Sequence, residues 1–476
     1  MIPSPLSDHL GTGILHLGLG AFHRAHQAAF TQDAIAARGG AWGIEAVSMR
    51  NPVLAETLSA QDGRFTLIEQ HSDGPVLRDM SVIRRATALP GNTDQVIERF
   101  ADPGLHIVTI TVTEKGYGAD IGARALNQSD AAVAHDLSRP NTPPQSLPGL
   151  LVHGLKTRRN AGLGGLTLMS CDNLTDNGRL LIALLTEMAE AHGADLARWI
   201  EDACRCPNAM VDRITPAATP ETFAIAKDAR GWDDKAAIET EPFRQWVIED
   251  RFAGPRPAWD AAGAQIVPDV APFEAMKLRL LNGAHSMVAY LGALAGLSAV
   301  RDVMAEPVLR DVVRRHMAFA AETLSPAEGL NPDAYADALI SRFENRAIDH
   351  RCLQIATDGS QKMPQRIFAA AQEQALAGRD IGTFALAIAA WIKFCGETDQ
   401  SDLPLNDPLA GQIRSALDGA GSGAADRIAA TAGIVELAGR EVLTLPQVAT
   451  ATALALERLD ANGPLAAAQA TLGDHR

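Results

Sequence analysis

A lysine, an asparagine and a histidine lie close together in one apolar stretch of the chain, at Lys277, Asn282 and His285. On an α-helix of 3.6 residues per turn, their side chains would share an arc of about 140° and therefore one face. Burial can lower the pKa of a lysine until it accepts the proton of an alcohol, and an asparagine can donate to the resulting alkoxide. A solvated helix face with a core histidine would show the same spacing. The surrounding leucines and methionines, however, are too apolar for a fully solvated helix.

A second candidate site is a glycine turn near the N-terminus, at Gly18-Leu-Gly20. It follows a predicted strand (13–20) and precedes a predicted helix (23–37), as a dinucleotide-binding turn does. In such a turn the first glycine permits the bend, and the second lets the backbone approach a pyrophosphate held by the helix N-terminus. His23 occupies the place of the third glycine in G-x-G-x-x-G, and an isolated G-x-G also occurs in ordinary turns. The position between strand and helix favours a nucleotide site.

The residue after the second predicted strand (42–49) bears on which dinucleotide would bind. An acidic residue here would favour NAD by binding the ribose hydroxyls, whereas an arginine can pair with the 2′-phosphate of NADP. The strand runs out at Ser-Met-Arg-Asn, so Arg50 is either a phosphate ligand or a solvated loop residue. We expect NAD as the cofactor, with NADP as the alternative.

Polar residues follow two further predicted strands. Asn173 stands in Ser-Cys-Asp-Asn after the strand at 165–170, and Glu114 stands in Thr-Glu-Lys-Gly-Tyr after the strand at 106–112. In α/β sheets ligands bind beyond the carboxyl ends of the strands, so Asn173 is well placed to contact a reacting oxygen. Asp and Asn residues in such segments also cap helices, and that interpretation stays open for both.

The order of predicted elements indicates what would position these residues. Strands alternate with helices in the first half of the chain, which predicts a parallel sheet with helical crossovers. From about residue 272 the periodicity is helical, with predicted helices at 275–294 (interrupted near Gly283), 310–323, 332–344, 365–377, 383–394, 424–437 and 445–459. We therefore expect an α/β, Rossmann-like N-terminal domain with a parallel sheet at 1–270, and a mostly α-helical C-terminal domain at 271–476.

Composition limits the classes of partner. The formal net charge is −15, from 42 basic and 57 acidic residues, which argues against binding to nucleic acid or an anionic membrane. The five cysteines lack framework spacing, and Cys204-Arg-Cys206 has no second pair at zinc spacing, so we expect reduced thiols, a cytoplasmic protein and no metal. No secretion signal or bilayer-spanning apolar run is visible. The expected partner is a small molecule, bound by a monomer or a small homo-oligomer.

Seven segments of the chain, taken in order, resemble the mannitol dehydrogenase family, also called the polyol-specific long-chain dehydrogenases. They are GLGAFHRAHQ (18–27), AQDGRFTLIE (60–69), TVTEKGY (111–117), SCDN (170–173), PNAMVDRITP (207–216), KLRLLNGAHS (277–286) and DGSQKMPQR (358–366). They extend over most of the chain, and His23 agrees with the family's own variant of the glycine motif. Seven ordered matches are far more specific than the glycine turn alone.

The resemblance implies a metal-independent oxidation of a secondary alcohol, with hydride transfer to a nicotinamide. It implies that Lys277 is the general acid/base, that Asn282 and Asn173 polarise the reacting oxygen, and that His285 binds substrate hydroxyls. It also places Asp212 among the residues that line the substrate site, and Glu114 near the lysine in a proton path. The cofactor contacts that we expect are at Gly18, Gly20, Phe22, His23, Arg50 and Asn173.

The segment 350–366 looks more like the mannonate oxidoreductase (fructuronate reductase) branch of the family than the mannitol branch. A sugar acid needs a cation for its carboxylate, and Arg351, Lys362 and Arg366 are the candidates. Some of these residues could instead bind cofactor phosphate or face solvent. The expected reaction is the interconversion of D-mannonate and D-fructuronate. The alternatives are a polyol dehydrogenase, such as a mannitol 2-dehydrogenase or an arabinitol or sorbitol dehydrogenase, and more remotely a non-catalytic nucleotide-binding protein.

Overall fold

The computed structural model describes residue 6 and residues 10–345, 350–397 and 405–474, which divide into two compact units, Met1–Ala271 and Pro272–Arg476. The first unit combines a parallel sheet with helices, and the second is mostly helical. The predicted fold class, a Rossmann-like α/β domain followed by a helical domain, is confirmed.

The strands of the first unit are short and largely buried. In chain order they are β1 Ile14–Leu17, β2 Ile44–Ser48, β3 Phe65–His71, β4 Gly74–Met80, β5 Ile83–Ala88, β6 Ile107–Ile110, β7 Ala119–Asp120, β8 Ala125–Leu126, β9 Thr167–Ser170, β10 Ala209–Asp212, β11 Ile238–Thr240, β12 Gln245–Glu249 and β13 Gln265–Val267. The central sheet has the order β5-β2-β1-β6-β9, and all its neighbours are parallel. The strand order reverses between β1 and β6, which is where open α/β sheets bind ligands.

Three smaller sheets accompany the central one: β10-β12-β13, β11-β3-β4 and the β7-β8 pair. None of their strands was predicted. Six of them have at most five residues, and several pair with segments far away in the sequence, so hydrophobic periodicity is too short to reveal them. The hairpin of β3 and β4 is longer, with seven residues in each strand, and was also not predicted.

Helices connect and cover these strands. They are α1 Ala21–Ala25, α2 Gln27–Arg38, α3 Val53–Ala60, α4 Thr93–Glu98, α5 Ala131–Ser138, α6 Leu147–Asn160, α7 Asn177–Glu190, α8 Ala194–Ala203 and α9 Pro220–Arg230, with 3₁₀ turns at Arg99–Ala101, Glu114–Tyr117 and Trp259–Ala262. The single helix predicted at 23–37 is wrong, because His26 separates α1 from α2 with φ −111° and ψ −83°. Its Nε2 lies 2.8 Å from the carbonyl oxygen of Gln245. This contact joins residues far apart in the sequence, so the local sequence could not predict it.

The two faces of the central sheet contribute to separate apolar clusters. Because side chains alternate along a strand, Ile14 packs into one cluster while Leu15 and Leu17 pack into the other. All three are at most 1% exposed, so β1 is a fully buried strand. This burial holds the loop that follows β1 on a rigid support.

The second unit consists of helices and connecting loops. They are α10 Ala271–Met276, α11 Gly283–Leu294, α12 Val300–Ala305, α13 Pro307–Ala321, α14 Pro332–Phe343, α15 Cys352–Ile355, α16 Gly359–Met363, α17 Ala369–Leu376, α18 Gly382–Glu397, α19 Ala410–Asp418, α20 Ala424–Ala432 and α21 Pro446–Gly473, with a 3₁₀ turn at Arg440–Thr444. Two segments, Lys277–Asn282 and Pro364–Phe368, are π-helical. Within the described ranges, no helix is both long and apolar enough to cross a membrane.

The predicted helix interruption near Gly283 is wrong. Gly283 has helical angles (φ −63°, ψ −51°), and the irregular π-helical turn comes directly before it. A Cβ atom on Gly283 would lie 3.1 Å from the carbonyl oxygen of Arg366 and 3.3 Å from Nε2 of His316. Glycine here therefore allows the two π-helical segments to pack closely, and it does not break the helix.

Candidate active site

The two glycines of the N-terminal turn have different structural roles. Gly18 has φ +109°, and a Cβ on it would overlap the carbonyl oxygen of Thr111 after β6. Gly20 is open, since a Cβ on it would meet only the Gly18 carbonyl oxygen, at 3.6 Å. The first glycine thus permits the bend against a neighbouring strand, and the second leaves free space beside the backbone. A dinucleotide site needs such an opening, because the pyrophosphate must approach the main chain closely.

His23 lies beneath this turn and has no exposed surface. Its ring stacks on that of His16 in β1, with centroids 3.4 Å apart and planes 11° apart. Burial first, and then the charge of neighbouring groups, keeps the pKa of His23 well below its ordinary value. Two flat rings therefore replace the close helix–strand contact that a third glycine would provide. The expected direct contact between His23 and a cofactor is corrected, because no atom of the residue is accessible. Phe22, by contrast, is only partly buried.

Arg50 is exposed and follows β2, the neighbour of β1 in the central sheet. The loop that carries it is held by the Ser48 hydroxyl, which donates to the carbonyl oxygen of Asn51 at 2.6 Å. The residue thus lies at the same edge of the sheet as the glycine turn. Its predicted contact with the 2′ group of a cofactor stays a prediction.

Asn173 and Glu114 are exposed residues that follow the adjacent strands β9 and β6. Asp172 ties their loops together, because its Oδ2 accepts hydrogen bonds from the Val112 amide (3.0 Å) and the Tyr117 hydroxyl (2.5 Å). Burial raises the pKa of Asp172 to about 6, while these two hydrogen bonds act in the opposite direction. Sequence reasoning assigned no role to Asp172, although its place beside Asn173 was a usable signal.

Asp212 ends β10 and is 7% exposed. It belongs to the β10-β12-β13 sheet, whereas the other strand-end residues follow strands of the central sheet. Its negative charge acts on His26, whose pKa is nevertheless lowered to about 3, chiefly by burial. A role in lining a substrate site stays a prediction.

In the second unit, Lys277 and Asn282 are the first and last residues of one π-helical segment. A π-helix bonds residue i to residue i+5, so these two side chains lie about one turn apart on the same face. On a regular α-helix they would have diverged by about 140°. Lys277 is 8% exposed, and thus buried as the sequence analysis required. In the π turn, the side chains of Lys277 and Asn282 therefore point in more similar directions than an α-helix would allow.

His285 follows one turn later and is also 8% exposed. Its ring stacks on Phe343 at a centroid distance of 4.4 Å and meets the edge of His350 at 5.1 Å. Nε2 has no hydrogen-bond partner in the part of the chain that the structure describes. Burial, followed by the charges of His350, Arg342 and Arg366, keeps the pKa of His285 well below its ordinary value. The imidazole is therefore neutral, and its Nε2 is enclosed by the protein.

Arg366 lies in the other π-helical segment and reaches the helix that carries His285. Its Nη1 donates to the carbonyl oxygen of Asn282 (3.4 Å) and to the Ser286 hydroxyl (3.3 Å). Burial lowers the pKa of the guanidinium. Among the described residues, no carboxylate pairs with it. Proline at position 364, in the middle of a helical run, removes a backbone donor and explains the local irregularity.

The other two basic candidates are placed differently. The Lys362 ammonium donates to the carbonyl oxygen (2.6 Å) and hydroxyl (3.2 Å) of Thr357 and lies 3.8 Å from Asp358. Arg351 is exposed, and its backbone bridges to Ala299.

Arg342 is a buried arginine whose charge acts on His285, and no sequence motif pointed to it. It lies near the end of α14, next to Phe343, whose ring stacks on the imidazole. The structure thus brings Arg342 and Arg366, rather than Arg351, close to the histidine.

Comparison with family models matches nearly the whole chain. The model described as the mannitol dehydrogenase Rossmann domain matches residues 12–261, and the mannitol dehydrogenase C-terminal domain matches residues 269–460. Together the two models account for both structural units.

Characterised relatives cover most of the chain as well. D-mannonate oxidoreductase of Escherichia coli (strain K12) is 40% identical over 87% of this chain and 87% of its own length. Mannitol 2-dehydrogenase of Phaeosphaeria nodorum is 35% identical over 87% of this chain and 74% of its own. The structure of Pseudomonas fluorescens mannitol 2-dehydrogenase, a ternary complex with NAD and D-mannitol, matches with a TM-score of 0.79 and 32% identity over 99% of this chain and 96% of that one.

Proposed function

The chain belongs to the mannitol dehydrogenase family, and on this premise we propose that it interconverts D-mannonate and D-fructuronate. The protein is a dehydrogenase that acts on a CH–OH group and uses NAD(H). The sugar-acid substrate is the proposal. All five cysteines are buried free thiols, which supports the cytoplasmic location that we propose.

The observation that supports a sugar acid is the guanidinium of Arg366, which is largely buried without a carboxylate partner among the described residues. A buried charge without a counter-charge is costly, and an arginine binds a carboxylate with two parallel hydrogen bonds. Lys362 lies one helical turn earlier, and burial together with the charge of Arg366 lowers its pKa. An anionic substrate would relieve this repulsion between cations, whereas a neutral polyol would not.

The catalytic steps that we propose transfer a hydride and a proton from one carbinol group. When bound, NAD⁺ supplies the acceptor for the hydride of the carbinol carbon. Lys277, as a neutral amine, takes the hydroxyl proton and returns it in the reductive direction. Asn282 donates its amide to the developing alkoxide, and Asn173 is proposed for the same task. Proton and hydride both leave one CH–OH group, so the product is a ketone, and the reaction needs no metal.

The remaining residues have binding roles in the proposal. His285 binds a substrate hydroxyl, Asp212 lines the substrate site, and Glu114 belongs to a proton path. Arg366 binds the carboxylate, assisted by Lys362 and Arg351. The cofactor contacts proposed are Gly18, Gly20, Phe22, Arg50 and Asn173.

A spectrophotometric panel tests the substrate. The purified protein is offered mannonate, altronate, mannitol, arabinitol and sorbitol, each with NAD and with NADP. We expect mannonate with NAD to give the highest kcat/KM. If mannitol or arabinitol reduces the cofactor and mannonate does not, the protein is a polyol dehydrogenase, such as a mannitol 2-dehydrogenase. The similarity to mannitol 2-dehydrogenases in sequence and fold favours that second candidate.

The variant Arg366→Gln tests the carboxylate contact. Removing one member of a buried charge pair costs several kcal/mol, so we expect KM for mannonate to rise about 100-fold. The matched control is Arg379→Gln, since Arg379 is an exposed arginine of the same unit that lies 3.8 Å from Glu322. An Arg366→Gln protein with the wild-type KM for mannonate would contradict this assignment.

A further inference from the structure

The carbonyl groups of the Gly18–Gly20 turn are held from within the protein. The Thr111 hydroxyl donates to the Gly18 carbonyl oxygen at 2.9 Å, and Nε of Arg24 donates to the Gly20 carbonyl oxygen at 3.2 Å. Arg24 is itself almost fully buried and also donates to the carbonyl oxygen of Ala236. Neither carbonyl is therefore free to turn outward, where its partial negative charge would repel a phosphate.

His16 is bonded to the other side of the Thr111 hydroxyl. Because Thr111 gives its only hydroxyl proton to Gly18, its oxygen must accept from Nε2 of His16, which lies 3.0 Å away. Burial lowers the pKa of His16 to about 3, so the ring is neutral and its Nδ1 is an acceptor. The Thr109 hydroxyl, 2.8 Å from Nδ1, is then the donor. The result is one directed chain of hydrogen bonds from Thr109 through His16 and Thr111 to Gly18.

The same peptide unit is also held on its other side. The Leu19 amide donates to the carbonyl oxygen of Val47 in β2 at 2.9 Å, as the Gly18 amide does. The turn is therefore tied to both neighbours of β1, by backbone bonds to β2 and by the Thr111 side chain after β6. Only Gly20 faces open space.

We propose that His16 is a positioning residue for the cofactor, acting through Thr111 on the Gly18 carbonyl. It contacts no ligand, since it is 0% exposed. Its task is to prevent rotation of the Gly18–Leu19 peptide, so that the turn is already in the orientation that a pyrophosphate needs. A core position next to β6 could be filled by an apolar side chain at little cost, whereas a neutral histidine bonded at both nitrogens selects one turn geometry.

The test measures binding of NADH in the absence of any sugar substrate, by fluorescence titration. Its outcome is therefore independent of the sugar-acid proposal. Thr111→Val keeps the shape of the side chain and removes the bond to Gly18, and we expect the Kd for NADH to rise about tenfold. Thr111→Ser keeps the hydroxyl and should retain the wild-type Kd. His16→Phe keeps the stack on His23 but breaks the chain at its centre, and should match Thr111→Val.

Further readouts separate positioning from loss of stability. KM for NAD should rise in Thr111→Val while kcat at saturating NAD stays near the wild-type value. His316→Phe is the matched control, because it removes a fully buried imidazole of the helical unit that bonds Thr383 at 3.3 Å. It should lower Tm without changing the Kd for NADH. A folded Thr111→Val protein with the wild-type Kd overturns the proposal, as does an equal rise in Kd for His316→Phe. Thr111→Val serves as the deciding variant if His16→Phe does not fold.

Discussion

Two polar groups of the second unit, one buried and one partly buried, lack the partners that such groups normally have. Nε2 of His285 has no hydrogen-bond partner, and Arg366 has no carboxylate, within the described ranges. Such groups lower the stability of a folded protein by a few kcal/mol each, unless a ligand supplies what is missing. A hydroxylated acid would supply the carboxylate that Arg366 lacks, and we propose that one of its hydroxyls bonds His285.

The role of the Lys277 amine as general acid/base can be tested by removing the amine alone. Lys277→Met keeps the apolar stem and removes the amine, so that no base takes the hydroxyl proton. General acid/base catalysis contributes about 10²–10⁴-fold, and we expect kcat for alcohol oxidation at neutral pH to fall by a factor in that range. Steady-state kinetics measured with saturating cofactor checks it.

The control for Lys277→Met comes from the same π turn. Arg279 forms two hydrogen bonds with Glu373, at 2.6 Å and 2.7 Å, and its charge is thus engaged elsewhere. Arg279→Lys should keep kcat within about twofold, because general acid/base chemistry does not involve it. A Lys277→Met protein with near-full activity at neutral pH would eliminate the proposed mechanism.

At the scale of elements, the N-terminus of α7 is docked onto the start of β10. The side-chain amide of Asn177 both donates to the Ala209 carbonyl (2.7 Å) and accepts from the Ala209 amide (2.9 Å), as a neighbouring strand would. Oδ1 of Asn208 accepts in return from the Gly178 amide at 2.9 Å. This docking closes the loop between β9 and α7, which carries Asn173.

Gly178, the second residue of α7, lies where this docking leaves no room for a side chain. A Cβ here would lie 2.5 Å from the carbonyl oxygens of Cys206 and Pro207, so α7 would have to move away. We expect Gly178→Ala to lower the free energy of unfolding by about 1–3 kcal/mol, the usual cost of overpacking. Urea denaturation followed by circular dichroism measures the change.

Gly411 provides the matched comparison, because it is the second residue of α19 and a Cβ there would meet no atom within 4 Å. Gly411→Ala should raise the free energy of unfolding by up to about 1 kcal/mol, since alanine is the better helix former. Equal changes in the free energy of unfolding for the two substitutions would show that the close contact at Gly178 does not affect stability.

At the scale of the whole molecule, buried histidines make the stability of the fold sensitive to acid. Burial lowers the pKa of His16 and His26 to about 3 and that of His316 to about 4, from 6.5. Above pH 6.5 these groups are neutral in both the folded and the unfolded chain. Below pH 6.5 the unfolded chain binds protons that the folded chain excludes, and stability therefore falls as the pH falls. Asp172 opposes this trend, because its raised pKa makes the folded chain bind a proton between about pH 6 and pH 4.

We therefore predict that the free energy of unfolding decreases between pH 7 and pH 5. Each buried histidine contributes up to about 1.4 kcal/mol per pH unit below pH 6.5. Urea titrations at several pH values give the slope of the unfolding free energy against pH. His316→Phe should reduce this slope by the amount that corresponds to about one proton bound on unfolding. An identical slope in the variant would mean that His316 is charged in the folded protein or stays neutral in the unfolded one.

The hydrophobic periodicity and the motifs of the sequence were enough to predict the fold class and most of the side chains proposed for the site. Buried apolar strands followed by glycine or polar turns, and helical periodicity after residue 272, are properties of contiguous residues. The seven motif segments are recognised by their residue types and by their order along the chain, and neither depends on the fold. The resemblance to the mannitol dehydrogenase family was therefore recognisable before any contact was known, and the family models bear it out.

Tertiary packing decided the details that local pattern could not contain. The π turn at Lys277–Asn282 departs from the 3.6-residue period, and close packing of Gly283 against Arg366 accompanies it. Burial distinguishes Arg366, near His285, from Arg351 at the surface, although both are arginines of one segment. The chain from Thr109 through His16 to Gly18 joins residues more than 90 positions apart. Residue type and spacing specify which groups a site can use, whereas their exposure, partners and direction depend on contacts between segments distant in sequence.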